Sequence, residues 1–256
     1  MPADVPSRPG RATLLAFELA TEACSVALWH DGRLLARHEV APRRHVELAL
    51  PWAEALLEEA GVAKSQLDAL AVGVGPGAFT GVRLAISLVQ GIALGLDRPV
   101  VPVSTLAALA QPFLAEGPVL AAIDARMGEL YVGEFIADAD GLSKALAEEA
   151  LLPVGAAAAA LLARWPATEL GRVGVGTGFA AGGGTWCAAL AARLARVEAE
   201  ALPTAAAVAR IAAGAFARGY AVAPERLEPT YLRDKVALTS AEQAAARAAK
   251  AGAGEA

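Results

Sequence analysis

The residue types best suited to chemistry lie together in Gly73-Val74-Gly75-Pro76-Gly77-Ala78-Phe79-Thr80-Gly81-Val82-Arg83. Glycines let a backbone turn with positive φ and approach a ligand closely. The free N–H groups and positive dipole end of a helix N-terminus suit phosphate. On that chemistry Gly75, Gly77, Thr80, Gly81 and Arg83 are the candidate cofactor-binding residues. The same glycines serve equally well in a tight strand-to-helix turn packed against the rest of the chain. No Gly-Lys-Ser/Thr follows, so the stretch is not a Walker A loop, and it lacks the GxGxxG pattern with its distant acidic residue.

The remaining catalytic inventory is thin. The chain has three histidines, His30, His38 and His45. Residue 49, four after His45, is Ala, so the paired helical histidines of a metal site are missing. Cys24 has Glu22 nearby and no basic neighbour, which suits a buried small side chain better than a nucleophile. Thr21, Asp124 and Glu129 stand at strand ends, and Asp124 can pair with Arg126 across its own turn. These groups make no set of nucleophile, base and orienting residue, and the expected catalytic and metal sets are both empty.

The elements that position the glycine stretch follow from composition and pattern. A chain of 256 residues with 56% hydrophobic and 19% charged residues is long and apolar enough for one large domain or two lobes, and excludes disorder. A net charge of −5 lacks the basic footprint of a standalone nucleic-acid binder. Two cysteines make no disulfide framework, which points to a reducing, cytoplasmic setting. Apolar stretches are broken before about 18 residues, so no membrane span is expected, and no secretory signal is expected at the N-terminus.

Strands are expected at 13–17, 25–29 and 34–40, with Asp31-Gly32 as a hairpin turn. A helix at 45–60, a strand at 70–74, a helix at 82–94, a strand at 100–103 and a short helix near 105–109 follow. The order β-β-β-α-β-α-β indicates a mixed sheet with helices on its faces. Strands at 119–124, 129–136 and 173–176, helices at 156–163 and 204–218, and a Gly-rich loop at 176–184 begin again after Gln111-Pro112, hinting at two related lobes. The expected division is a disordered tail at 1–11, a first lobe at 12–110 joined by the helix near 204–220, a second lobe at 111–203 and 221–238, and an Ala-rich tail at 239–256.

Two helices carry more apolar surface than a lone lobe needs. At 100° per residue, Val46, Leu50, Ala53, Leu57 and Ala60 form one arc of helix 45–60, which reads as the core face. Leu48, Trp52 and Leu56 form a second arc, to be covered by the other lobe or by a protein partner. Pro51 is expected to bend the helix. In helix 82–94 only Arg83, Ser87 and Gln90 interrupt an apolar surface.

The segments Ala20-Thr21-Glu22-Ala23-Cys24-Ser25-Val26-Ala27-Leu28, Arg44-His45, Gly75–Arg83, Ser104-Thr105-Leu106, Ile123–Tyr131 and Pro229-Thr230-Tyr231-Leu232-Arg233, in that order, resemble the TsaB (YeaZ) family over residues 13–236. The resemblance implies an α/β, two-lobed actin-like fold with RNase-H-like mixed sheets flanked by helices. It implies a non-catalytic subunit that pairs with the catalytic paralogue TsaD and is joined by the ATPase TsaE. That complex transfers threonylcarbamoyl to N6 of the adenosine next to the anticodon in tRNAs reading ANN codons.

Carried over residue by residue, the interface candidates are Leu48, Trp52, Leu56, Arg83, Leu84, Ser87 and Leu88. No intrinsic cofactor is implied; ATP or ADP would sit at the surface shared with the partner complex. The chain alone would form a homodimer and would meet tRNA only through the complex. The family's usual Asp-Thr after the first strand is Glu18-Leu19 here, and its Ser in the glycine loop is Ala78. The alternatives are an independently acting actin-like ATPase or metallopeptidase, and a homodimeric regulatory module.

Overall fold

The computed structural model describes residues 12–166 and 171–233. The tails expected at 1–11 and 239–256 lie outside the described residues. Eleven strands and five α-helices among them build two sheets. The first contains β1 (Leu14–Glu18), β2 (Ala23–His30), β3 (Arg33–Val40), β4 (Ala69–Gly73) and β5 (Val100–Val103), in the order β3-β2-β1-β4-β5. The first three are antiparallel neighbours, and β4 and β5 add in parallel.

The second sheet contains β6 (Val119–Arg126), β7 (Glu129–Ala137), β8 (Ser143–Ala145), β10 (Arg172–Val175) and β11 (Leu194–Glu198), with β9 (Ala150–Pro153) pairing with β7. Taken from its other end its order is β8-β7-β6-β10-β11, again with antiparallel pairs first and parallel pairs last. The two sheets therefore repeat one topology, and the mixed two-lobed α/β architecture expected from the element order is present. The short strands β8, β9 and β11 were absent from the sequence reading.

Alternation along each strand fills two layers. In the first unit Leu15, Phe17, Val26, Leu28, Leu70 and Val72 face α1 (His45–Ala60) and α2 (Phe79–Leu96). On the opposite face Leu14, Ala16, Ala27, Ala69 and Ala71 meet α5 (Ala205–Ala217), whose Ala205, Val208, Ala209 and Ala212 are buried there. Small residues on both sides let that Ala-rich helix approach the sheet closely. Thr204 caps it as expected, its hydroxyl accepting the Ala207 N–H at 3.3 Å. In the second unit α3 (Thr105–Ala110) packs on the face of Val119, Ala121 and Ile123. The face of Leu120, Ala122, Leu130 and Val132 meets α4 (Val154–Leu162) and the broken 3₁₀ segment Thr177–Leu190.

Three expectations are corrected. Residues 221–230 run along the first unit rather than the second: Val222 bridges to Val100, Leu227 is buried among the first-unit core, and the Thr230 N–H bonds Val74 O. Second, α2 spans 18 residues with a mean hydropathy of 1.6, long and apolar enough by length and composition to cross a membrane. Here Val82, Ala85, Ile86, Val89 and Ala93 are buried in the first-unit core, so the helix packs on the first sheet by one side. Third, the core face of α1 is formed by Ala49, Ala53, Leu56 and Leu57, while Val46 and Leu50 are 66% and 44% exposed. Alanine at 49 and 53 brings this side close to β2, and the larger side chains one step around point outward.

Candidate functional site

A cleft of about 980 Å³ lies between the two units. The first unit contributes Thr21 and Glu22 after β1, Arg43, His45 and Val46 at the start of α1, and Gly77 through Gly81 at the start of α2. The second contributes Asp124, Arg126 and Tyr131 from the β6–β7 hairpin and Thr177, Ala180 and Ala181 from the segment after β10. The C-terminal arm, Thr230 to Arg233, closes the rim.

Each candidate of the glycine stretch has a defined place. Gly75 is buried, has φ +93° and is fully engaged: its N–H bonds Thr105 Oγ1 at 3.1 Å and its carbonyl accepts the Thr105 N–H at 2.9 Å. A Cβ on Gly77 would lie 2.5 Å from Ala20 O, and one on Gly81 2.1 Å from Leu19 O. These glycines admit the main chain of the turn after β1. The Ala78 N–H bonds Ala20 O at 2.7 Å, which fixes the approach. Thr80 is exposed on the cleft wall. Arg83 is exposed; its guanidinium lies 3.7 Å from the Phe79 ring centroid, and its Nε–H donates to Tyr231 Oη at 2.8 Å.

Glu18, at the end of β1, turns away from the cleft and is 1% exposed. Its Oε1 accepts the Ala20 N–H at 2.8 Å and its Oε2 the Thr105 hydroxyl at 3.2 Å. Burial pushes its carboxyl up to about 7, with those hydrogen bonds pulling the other way. Gly73 makes the room: a Cβ there would lie 1.9 Å from Glu18 Oε2. The series Gly75 N–H, Thr105 hydroxyl, Glu18 carboxylate thus ties the glycine loop to β1. In the second unit Asp124 does line the cleft, with its carboxylate on the Arg126 N–H at 2.7 Å and guanidinium at 3.2 Å.

This arrangement holds a loop rigidly. The β1 carboxylate is enclosed, and the Cβ positions of Gly77 and Gly81 point at the main chain of residues 19 and 20, while the same loop lines the cleft. Among the described residues no group of three or more His, Cys, Asp or Glu side chains is placed to hold a metal ion. His45 is structural: its Nε2–H donates to Thr21 O at 3.0 Å and Ala23 O at 3.2 Å, clipping α1 to the first hairpin. Cys24 is fully buried and free, and burial pushes its thiol up to about 11, which disfavours the thiolate.

Of the interface candidates, Leu56 is 1% exposed and belongs to the core, because α1 is rotated relative to the reading from periodicity. Leu48, Trp52, Leu84 and Leu88 are half-buried against the first-unit core. Arg83 and Ser87 are exposed. The outward face of α2 is Thr80, Arg83, Ser87, Gly91, Leu94 and Gly95; on α1, Val46 and Leu50 are exposed, and Val46 lines the cleft with Thr80. The periodicity reading missed Val46, Leu50 and Leu94 as surface residues, and it gave no role to Phe79, Tyr231 or Arg233. Only the family signature around Tyr231 and Arg233 marked the last two.

The duplicated sheets, the intervening cleft and the glycine turn opening α2 define a two-lobed α/β protein built on a repeated mixed sheet. The family model described as "TsaD: tRNA N6-adenosine threonylcarbamoyltransferase" matches residues 38–240. The tRNA threonylcarbamoyladenosine biosynthesis protein TsaB of Escherichia coli is 41% identical over 88% of this chain and 96% of its own length. A crystal structure from Pseudomonas aeruginosa, of a protein described as similar to peptidase YEAZ, is 44% identical with a TM-score of 0.78, covering 87% of this chain and 100% of that one. The tRNA N6-adenosine threonylcarbamoyltransferase of Magnetococcus marinus is 43% identical over 32% of this chain and 23% of its own length. The chain belongs to the TsaB family of tRNA threonylcarbamoyladenosine biosynthesis proteins.

Proposed function

We propose that this chain is the non-catalytic, activating scaffold of a cytoplasmic complex that transfers threonylcarbamoyl to N6 of the adenosine next to the anticodon. It pairs with a TsaD-type catalytic paralogue through the outward faces of α1 and α2, with a TsaE-type ATPase joining the pair. When alone it pairs with a second copy, and tRNA is met through the complex. Nucleotide, ATP or ADP, belongs at the surface shared with the partners. The interface residues are Leu48, Trp52, Arg83, Leu84, Ser87 and Leu88, with Val46 and Leu50 added.

The observation that carries this reading is the exposure of large apolar residues on the first-unit helices, Val46 and Leu50 on α1 and Leu94 on α2, positions that a protein partner would cover. The buried Glu18, turned away from the cleft, supports a subunit that leaves the group transfer to its partner.

The test is association. The purified chain, alone and mixed with TsaD from the same source, is measured by light scattering on a sizing column. A heterodimer that replaces the homodimer is expected. Ser87→Arg, at an exposed position, should weaken it by about tenfold or more, a loss of at least 1.4 kcal/mol. Absence of a complex at micromolar concentration, with TsaE and ATP present, overturns the reading.

A further inference from the structure

The arm that follows α5 belongs first to one unit and then to the other. Gln90 Nε2–H donates to Pro224 O at 3.0 Å and Leu227 O at 3.2 Å, and the Thr230 N–H donates to Val74 O at 2.8 Å. Up to this point the arm lies on the first unit. Three residues later Arg233 grasps the second. Its Nη2 donates to Glu129 Oε2 at 2.6 Å, Ala125 O at 3.0 Å and Arg126 O at 3.4 Å. Its Nη1 lies 3.8 Å from Met127 Sδ.

The hairpin tip it holds is conformationally expensive. Arg126, Met127 and Gly128 have φ of 61°, 57° and 75°. For the two residues with side chains this left-handed conformation is strained. The bonds from Arg233 to the carbonyls of residues 125 and 126 offset part of that cost. Between the two anchors Tyr231 bonds Arg83, which stacks on Phe79; the two rings are 51% and 48% exposed.

We propose that Thr230–Arg233 is a latch across the mouth of the cleft, and that Arg83 is the point at which a partner docked on α2 reaches it. The anchors differ in kind. Thr230 is held by a main-chain bond to the buried first unit, whereas Arg233 is held by side-chain contacts alone. Its Nε is buried without a hydrogen-bond partner, so this anchor is incompletely satisfied. Its release breaks no bond within the first unit. The units are also joined by the chain from β5 through α3 to β6, by the chain from β11 into α5, and by the Ser104 hydroxyl on Glu149.

The role of Arg83 rests on the functional reading above. Arg83 lies on the outward face of α2 with no carboxylate in ion-pair range among the described residues, so its remaining donors suit an acidic group of the partner. By linkage, a partner that favours one state of the latch binds that state more tightly by the same factor.

The experiment places nitroxides at Glu47→Cys on α1 and Thr185→Cys in the second unit, in a Cys187→Ala background, and reads their separation by pulsed electron paramagnetic resonance. Arg233→Ala should give a longer and broader distribution than the parent, and Glu129→Gln a smaller shift in the same direction. Arg233→Lys should restore part of the parent distribution. Unchanged distributions in both Arg233→Ala and Glu129→Gln overturn the latch; if Arg233→Ala fails to fold by circular dichroism, Glu129→Gln decides alone.

Added TsaD-type partner, with complex formation verified by light scattering on the same sample, should shift the parent distribution but not that of Arg83→Ala. A verified complex with no shift overturns the coupling and leaves the functional reading standing. Absence of a complex overturns that reading and the role of Arg83, while the isolated-chain comparison still decides the latch.

Discussion

The two units share a strand order, yet they treat corresponding positions differently. After the fourth strand of the first sheet, the glycine loop leads into the 18-residue helix α2, with its glycines pressed against the turn after β1. After the corresponding strand of the second sheet, Gly176 leads into a 3₁₀ segment broken at Ala181–Gly184, where Gly182, Gly183 and Gly184 all have positive φ. The carboxylates also part company: Glu18 is enclosed beside Thr105, whereas Asp124 stands on the cleft wall. The second unit instead buries charge elsewhere, with Glu134 against Arg164 and Arg172 and the Trp165 N–H. One glycine turn thus continues into a regular helix, while the other presses Gly176 and Gly178 on Ala122 and then breaks at Ala181–Gly184.

Four measurements break or sharpen that contrast. The largest effect is expected from Glu134→Ala. It removes the carboxylate from a cluster in which Arg172 is 2% exposed, and should lower stability by about 4 kcal/mol in urea titration. A loss below about 1 kcal/mol, the value of a surface pair, would mean that the second unit does not depend on this cluster. Gly81→Ala comes next: its Cβ meets Leu19 O at 2.1 Å, and overpacking should cost about 3 kcal/mol by the same measurement. Wild-type stability in that variant would remove the tight-loop account of the first unit.

Glu18 is tested by pH. Its carboxyl is pushed up to about 7 from an ordinary 4.5, so between those values the folded chain keeps a proton that the unfolded chain has released. Stability should fall as pH rises through this window, with about 3 kcal/mol at stake in full. Glu18→Gln should flatten the difference between urea midpoints at pH 5 and pH 8; equal slopes in variant and parent would show that Glu18 does not set it. The smallest effect is expected at Gly183→Ala. Its φ is +74° but nothing lies within 4 Å of the added Cβ, so backbone strain alone should cost about 1 kcal/mol. A loss as large as that of Gly81→Ala would erase the distinction between the two glycine segments.

The long elements were legible in the sequence because their patterns are strong. Asp31-Gly32 marks the first hairpin, helix 45–60 matches α1, and Thr204 caps α5. The rotation of α1 was not legible: with apolar residues on two arcs, periodicity cannot say which arc packs. Close approach to the sheet favoured the side bearing Ala49 and Ala53, which a scale that rewards bulk undervalues. The strands β8, β9 and β11 escaped because they are short and largely uncovered, leaving little alternation to detect. At the site, the glycine loop was visible but not the direction its missing side chains would face. The arm at Thr230–Arg233 has no period at all, and only three-dimensional contact reveals that it spans both units.

The pair formed by Glu18 and Gly73 limits how this chain can be recombined with its relatives. The enclosed carboxylate occupies the space in which a side chain at residue 73 would lie, so the end of β1 and the end of β4 are one exchangeable block. A chimera that imports a β4 ending in any residue larger than glycine places that side chain on Glu18. A chimera that imports both segments from a donor with a shorter acid carries its own matching space.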